Sequence, residues 1–242
     1  MKRAFTYMFD SQKNVAALIL FFILMLLMEL FLGAGHYFRC YKIISYIAIV
    51  PAIIMVILTT GYGAEILRSF QSENGIIPTF DFKQSVKTGI RFVLSFSMLY
   101  AVAILIFRAL GNISKLLTIK GLMPLTFCVT VIYLFIAFML LFNSIVAINN
   151  FAKTRDLLSL VRFKSNFQYL DTLRVGHYTL YSLFIFLTVY AIMFLSKILL
   201  SKVYILGILG FFVYTILTSL VWTYAVAVYM YISVHAYNLK KV

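Results

Sequence analysis

Six apolar runs, each near or above the roughly 20 residues that carry a helix across a bilayer, set the limits on what this chain can fold into. They cover residues 15–34, 43–60, 90–110, 122–148, 178–196 and 203–234. Each run is continuous and does not alternate in polarity, so helices are expected rather than barrel strands. The last run is long enough to tilt or to continue into the interface. Of the 242 residues, 64% are hydrophobic and 12% are charged. That is about half the charge of an average soluble domain, and a surface so apolar would not stay dissolved. The expected fold is all-α: one integral membrane domain over residues 1–242, a helical bundle of about six transmembrane helices. The basic lead MKRAFTYMFDSQKN precedes a run longer than the core of a signal peptide, so the first helix is expected to be retained, although LGAG supplies small residues at its end.

Lys and Arg number 21 against 7 Asp and Glu, a net charge of +14. In a soluble protein this would point to nucleic acid. Here no basic stripe with interleaved aromatics lies outside the apolar runs, and the bases flank the spans, so the expected partner is a bilayer with anionic headgroups. With the N-terminus placed in the cytoplasm, 14 bases fall on the inner side and 7 on the outer. Six of the seven acids also fall inside. The expected placement is multi-pass in the cell membrane with both termini cytoplasmic.

Two polar loops, residues 61–89 and 149–178, carry most of the inner charge. They are too long for tight turns and too aromatic for disorder. In the first, AEILRSF can extend the second span. ENG and Pro78 then break the helix, and Asp81 or Thr79 can cap a short new one. Phe80, Phe82 and Val86 would enter the lipid boundary while Lys83 and Lys87 face phosphates, and Gly89 would let the chain turn upright. The second loop reads alike, with Leu157, Leu158, Val161, Phe163, Phe167 and Tyr169 as its apolar contacts. Two amphipathic in-plane cytoplasmic segments are therefore expected. FDFKQSVKTG and FQYLDTLRVG also align at an offset of 87, pairing Phe80 with Phe167, Lys87 with Arg174 and Gly89 with Gly176; Arg68 then meets Arg155. This suggests a helix–loop–helix repeat, residues 43–110 and 130–196.

The order of signals carries a family resemblance. Phe5 and Phe9 lead the first span; Gly61 and Tyr62 follow the second, then Arg68, the element Ile77, Pro78, Phe80 and Asp81, and Gly89 before the third. This resembles the prokaryotic polytopic membrane proteins grouped as domain-of-unknown-function family 4013. The family pattern usually has Leu-Pro and a nearby Trp; here Ile77-Pro78 and Phe82 stand instead. The resemblance implies a multi-span membrane domain that accompanies transport or peptide-export systems, and the richness in Lys, Ile, Phe and Tyr points to an AT-rich bacterial genome. It transfers no catalytic residue.

Residues able to carry chemistry are few. Glu29 is the one acid inside a span, and a carboxylate at depth needs a partner, a proton or water. His36 lies two turns on along nearly the same helix face, and Arg108 lies near the outer end of the third span at similar depth, a candidate interhelical partner for Glu29. Pro51 interrupts the hydrogen bonds of the second span and is expected to kink it. Asn143, Asn149 and Asn150 are expected to bond between helices. No HExxH, GxSxG or GxxxxGK[ST] occurs, so no built-in ATPase or hydrolase, no metal and no cofactor are expected. His177 and His235 read as interfacial residues. Pairs such as Glu65 with Asp81, or Asp156 with Asp171, are expected in solvated loops. Cys40 and Cys128 are expected to be unpaired. The expected function is non-enzymatic and exerted through partners: an accessory or permease-like subunit beside an ATPase or other membrane subunit, or an immunity protein against a membrane-active peptide. The alternative is a stand-alone small-solute or lipid transporter using Glu29 and Arg108.

Overall fold

The computed structural model describes residues 12–37, 42–71, 78–171 and 207–238, with scattered residues between 178 and 194. Among these, every regular element is an α-helix: α1 (Gln12–Tyr37), α2 (Lys42–Gln71), α3 (Phe82–Ile119), α4 (Met123–Thr154), α5 (Phe163–Asp171) and α6 (Gly207–Tyr237). Four stretches of the described residues are long and apolar enough to cross a membrane: Asn14–Gly33, Tyr46–Gln71, Phe82–Ile119 and Leu209–Tyr237. The fifth expected span, 178–196, lies largely outside the described residues; those of it that are described, such as Tyr178, Leu180, Leu183 and Leu187, are helical.

The helix ends follow local chemistry. α2 contains Pro51 and continues to Gln71, so AEILRSF does extend the second span. Asp81 caps α3, its Oδ1 accepting a hydrogen bond from the Gln84 N–H at 3.1 Å. α4 begins with Pro124 in its first turn, where a missing N–H costs nothing. It ends at Arg155, which adopts a left-handed conformation (φ 56°) and returns its N–H to the Phe151 carbonyl at 2.7 Å. Gly121, with φ 71°, makes the turn between α3 and α4.

One expected in-plane segment is not a separate element. Phe82 to Gly89 form the first turns of α3, which continues as one helix to Ile119, nine residues past the expected end of the third span. The reason is burial. Ser85, Thr88 and Gly89 face α2 and are hidden from solvent, so these turns gain more by packing on a helix than by lying on lipid. Gly89 is therefore a packing residue inside a helix and not a turn. Phe80 and Val86 pack on the core beside α2, while Phe82, Lys83 and Lys87 do face outward. The second segment is a helix of its own, α5, whose Phe167 and Tyr169 pack inward against α4 and α6.

α1 packs between α2 and α6, α3 packs on α2 and α4, and α4 also touches α6. Phe21, Tyr62, Leu67 and Met230 belong to the main core cluster. Gln71 reaches Asn149, and Tyr237 reaches Asn150, so α2, α4 and α6 run parallel and end together. The start of α3, the N-terminal half of α1 and α5 gather at that same end, here called the loop end. At the opposite end Gly33 of α1 meets Phe211 of α6. Beyond Ser95, α3 and the first half of α4 expose apolar side chains such as Leu105, Ile119, Met123 and Phe127, and face each other through Phe107 and Tyr133 at 4.6 Å.

Candidate functional site

At the loop end, α2 and α3 approach until backbone meets backbone. A Cβ on Gly61 would overlap the Ser85 carbonyl oxygen, and one on Gly89 would overlap the Ile57 carbonyl oxygen. Only glycine permits this fit. One residue along from Gly61, Tyr62 is fully buried. Its hydroxyl donates to the Pro78 carbonyl at 3.2 Å, and its ring meets Phe80 edge-on at 5.3 Å. Pro78 and Phe80, just ahead of α3, thus lie against Tyr62 of α2.

Glu65 lies one turn beyond Gly61 on the same face. Its Oε2 accepts from Arg155 Nη2 at 2.7 Å and from Gln84 Nε2 at 2.9 Å; its Oε1 accepts from Thr88 Oγ1 at 2.9 Å. The Glu65 side chain is 11% exposed. Arg91 Nη1 donates to the Arg155 carbonyl at 3.4 Å. One carboxylate therefore joins α2, α3 and the end of α4, and the left-handed turn at Arg155 aims its guanidinium at Glu65. Sequence reasoning placed Glu65 in a solvated loop; it stands in α2, largely buried. The available signal was its spacing, four residues after Gly61 on a helix that extends past the span.

A second network braces α5. Tyr237 Oη donates to Asn150 Oδ1 at 2.7 Å, Asn150 Nδ2 to Asn166 Oδ1 at 2.8 Å, and Asn166 Nδ2 to the Ser159 carbonyl at 3.0 Å. Tyr169 Oη donates to the Tyr237 carbonyl at 3.1 Å, with the two rings stacked at 4.6 Å. Burial pushes the Tyr169 hydroxyl above its ordinary value, against a smaller opposing effect of the Tyr237 side-chain hydroxyl. Gln71 Nε2 donates to both the backbone and side-chain oxygens of Asn149, at 3.0 and 2.9 Å.

The remaining candidates do not converge. Among the described residues the ion pairs are Arg155–Glu65 and Arg162–Asp156, so Glu29 and Arg108 are not paired. α1 packs on α2 and α6, α3 packs on α2 and α4, and Arg108 is exposed. His36 ends α1, and its side chain lies outside the description, as do Arg174, Gly176, His177 and Cys40. Asn143 is 1% exposed, and neither its Oδ1 nor its Nδ2 has a hydrogen-bond partner, so it is not the interhelical tie that Asn149 and Asn150 are. Arg68 is exposed at the end of α2. In the proposed repeat, Arg68 and Arg155 thus occupy unlike places. Phe80 precedes α3, whereas Phe167 sits inside α5. Cys128 is exposed with a free thiol. No group of three His, Cys, Asp or Glu side chains among the described residues could hold a metal ion.

The resemblance carriers Gly61, Tyr62, Pro78, Phe80, Asp81 and Gly89 therefore form one junction around the seating of α3 on α2. The pattern of the family, DUF4013, a protein family of unknown function, matches residues 44–201. The chain belongs to this family. The DUF4013 region contains all of the Glu65 node and α5, while α1 and α6 lie outside it. No curated protein and no solved structure matches the chain.

On the other face of α2 the bundle opens. A half-enclosed cavity of about 280 Å³ lies among Phe21, Met25, Thr59, Gly63, Val226 and Met230, and no polar atom of its wall faces it.

Proposed function

We propose that this protein is a non-enzymatic multi-pass membrane protein that acts through partners, as an accessory or permease-like subunit of an export system or as an immunity protein, and that the loop end is where it engages them. The observation that carries this reading is the cross-bracing of that end. Glu65 is occupied by three donors, from α3 and from the C-terminal end of α4, which suits a rigid joint. Around the joint, Arg68, Lys83, Lys87, Arg162 and Lys164 are exposed. Such a surface suits anionic headgroups or the acidic face of a partner subunit.

In this reading the chain crosses the membrane six times, with both termini cytoplasmic. α4 and α6 end side by side, while α6 begins at the opposite end of the bundle. We read the connection between Asp171 and Gly207 as the fifth crossing, a reading supported by the helical conformation of the described residues between Tyr178 and Phe194. A cysteine at the exposed Ser165 should be shielded from impermeant reagents in intact cells; labelling from outside would invert the orientation.

The test of the function is affinity purification of the tagged protein from native membranes in mild detergent, with mass spectrometry. A stoichiometric membrane or ATPase subunit, lost on charge reversal of Lys83 and Lys87, is expected. A protein that purifies alone, with an unchanged phenotype in that variant, would overturn the reading. The alternative, a stand-alone carrier using Glu29 and Arg108, draws on the apolar cavity alone, since those two residues form no ion pair.

A further inference from the structure

The cavity beside α2 differs in kind from the rest of the core. On one face, α2 packs so tightly at Gly61 that no Cβ fits. On the adjoining face, Thr59, Thr60, Gly63, Ala64 and Leu67 recede from α1 and α6 and leave about 280 Å³. The same helix can therefore close a gap, and here it does not. An apolar cavity of about 150 Å³ suffices for a benzene-sized molecule, and this one is nearly twice that. Water does not suit it: a bound water wants two to four polar partners, and no polar atom of the wall faces the space. In the wall Thr60 Oγ1 donates back to the Val56 carbonyl at 2.7 Å, and the buried Thr59 Oγ1, without a hydrogen-bond partner among the described residues, is one polar group where a water needs at least two. Left empty, the cavity forfeits dispersion contacts on every wall.

The wall also suggests a shape. Met25, Met28 and Met230 are unbranched and adaptable, and they accept a flexible guest better than branched side chains do. Phe21, Phe92 and Tyr229 complete a surface drawn from α1, α3 and α6. The lining residues of α1, α2, α3 and α6 belong to candidate membrane spans. Hydrocarbon chains are the abundant solute at that depth.

We propose that this cavity is a binding site for a single hydrocarbon chain, the acyl chain of a phospholipid or of a free fatty acid. The proposal does not depend on the partner reading, since a subunit or a lone protein would hold the chain equally well.

Trp222 is the sole tryptophan of the chain. It packs on the core cluster that includes Phe21 and Met230, one helical turn from Val226 of the cavity wall. It therefore serves as a built-in reporter. The experiment titrates the full-length protein in detergent micelles with a dibrominated fatty acid and, separately, with a dibrominated phosphatidylglycerol, and follows Trp222 quenching. A filled site gives quenching that saturates near one equivalent and reverses on adding the unbrominated chain. Saturation by the phospholipid alone identifies a bilayer lipid as the guest; saturation by the fatty acid alone identifies a free acid. Quenching that only rises in proportion to both probes reports bulk micelle contact and overturns the proposal.

Gly63→Leu fills the cavity from α2, since a Cβ there meets the flexible end of Met230 at 3.0 Å and the Phe21 ring at an ordinary contact distance of 3.7 Å. It should abolish saturation, as should Val226→Phe from α6. Gly111→Leu, placed where nothing lies within 4 Å, should leave it intact. Saturation unchanged in a folded Gly63→Leu or Val226→Phe protein would overturn the proposal, and the wild-type titration decides it even if neither variant folds.

Discussion

Gly89 of α3 rests directly on the Ile57 carbonyl of α2, with no room for even a methyl group between them. Gly61 makes the reciprocal contact with Ser85 one turn away. Each helix thus presents a glycine to the other's backbone, and the two contacts fix both the distance and the register of the pair.

Gly89→Ala and Gly61→Ala should each destabilise the protein by about 1–3 kcal/mol, the usual cost of overpacking, and more where the backbone cannot shift. Gly111→Ala should be neutral or stabilising by about 0.5–1 kcal/mol, because it is a helix-interior glycine in open space. Denaturation in detergent, read by helix content, distinguishes the two classes. Equal melting of Gly89→Ala and Gly111→Ala would mean the helices are not seated this way.

Removing Glu65 should loosen three helices at once. Glu65→Ala leaves Arg155, Gln84 and Thr88 without their acceptor, and a loss of about 1.5–3 kcal/mol is expected for the charged bond alone. Glu65→Gln keeps an acceptor and should cost less. A double-mutant cycle with Arg155→Met isolates the pair. A coupling energy indistinguishable from zero would reduce the contact to proximity.

The three asparagines near the end of α4 should behave differently. Asn143→Leu removes a buried amide that makes no hydrogen bond, so stability should hold or rise. Asn149→Leu and Asn150→Leu remove bonds to Gln71, Asn166 and Tyr237, and each should cost about 1 kcal/mol or more. Parallel melting curves of the three variants check the ordering. A larger loss for Asn143→Leu than for the others would refute it.

Alkaline pH should release α5. The folded state raises the Tyr169 hydroxyl above its ordinary value of 10.0, so the folded protein holds a proton there that the unfolded chain surrenders first. Stability from this group is complete below pH about 10 and falls as pH rises through the raised value. The ionised oxygen can no longer donate to the Tyr237 carbonyl. Tyr169→Phe should melt lower near neutral pH and lose less on going above pH 10. An identical pH slope in both proteins would remove Tyr169 from the account.

The sequence made the helices legible because the bilayer demands long apolar runs, and Pro78 and Asp81 mark where α3 starts. It also named most of the junction: Gly61, Tyr62, Phe80 and Gly89 drew attention as a pattern, and the fold brings them together. The chemistry of the joint was not legible. Glu65 finds Arg155 across 90 positions of sequence, and no local rule links them. Gly89 looked like a turn, because glycine serves sharp bends and close helix contacts equally well. The first turns of α3 looked like a surface helix, because Phe82, Lys83 and Lys87 do face outward. What holds those turns is the opposite edge, made of the small residues Ser85, Thr88 and Gly89. Glu29 and Arg108 matched in depth, but depth along a bundle says nothing about position around it.

α3 is mechanically a cantilever. Its buried residues, Ser85, Thr88, Gly89 and Ser95, all lie in its first four turns, and some 24 residues extend beyond them, an arm of about 36 Å. α4 returns along that arm to Arg155. Sideways load on the tip at Gly121 is therefore borne by a short clamp at the root, with a leverage of about two to one over the clamp's own length of about 15 Å. The root of that beam is where Gly61, Gly89 and the Glu65–Arg155 bridge stand.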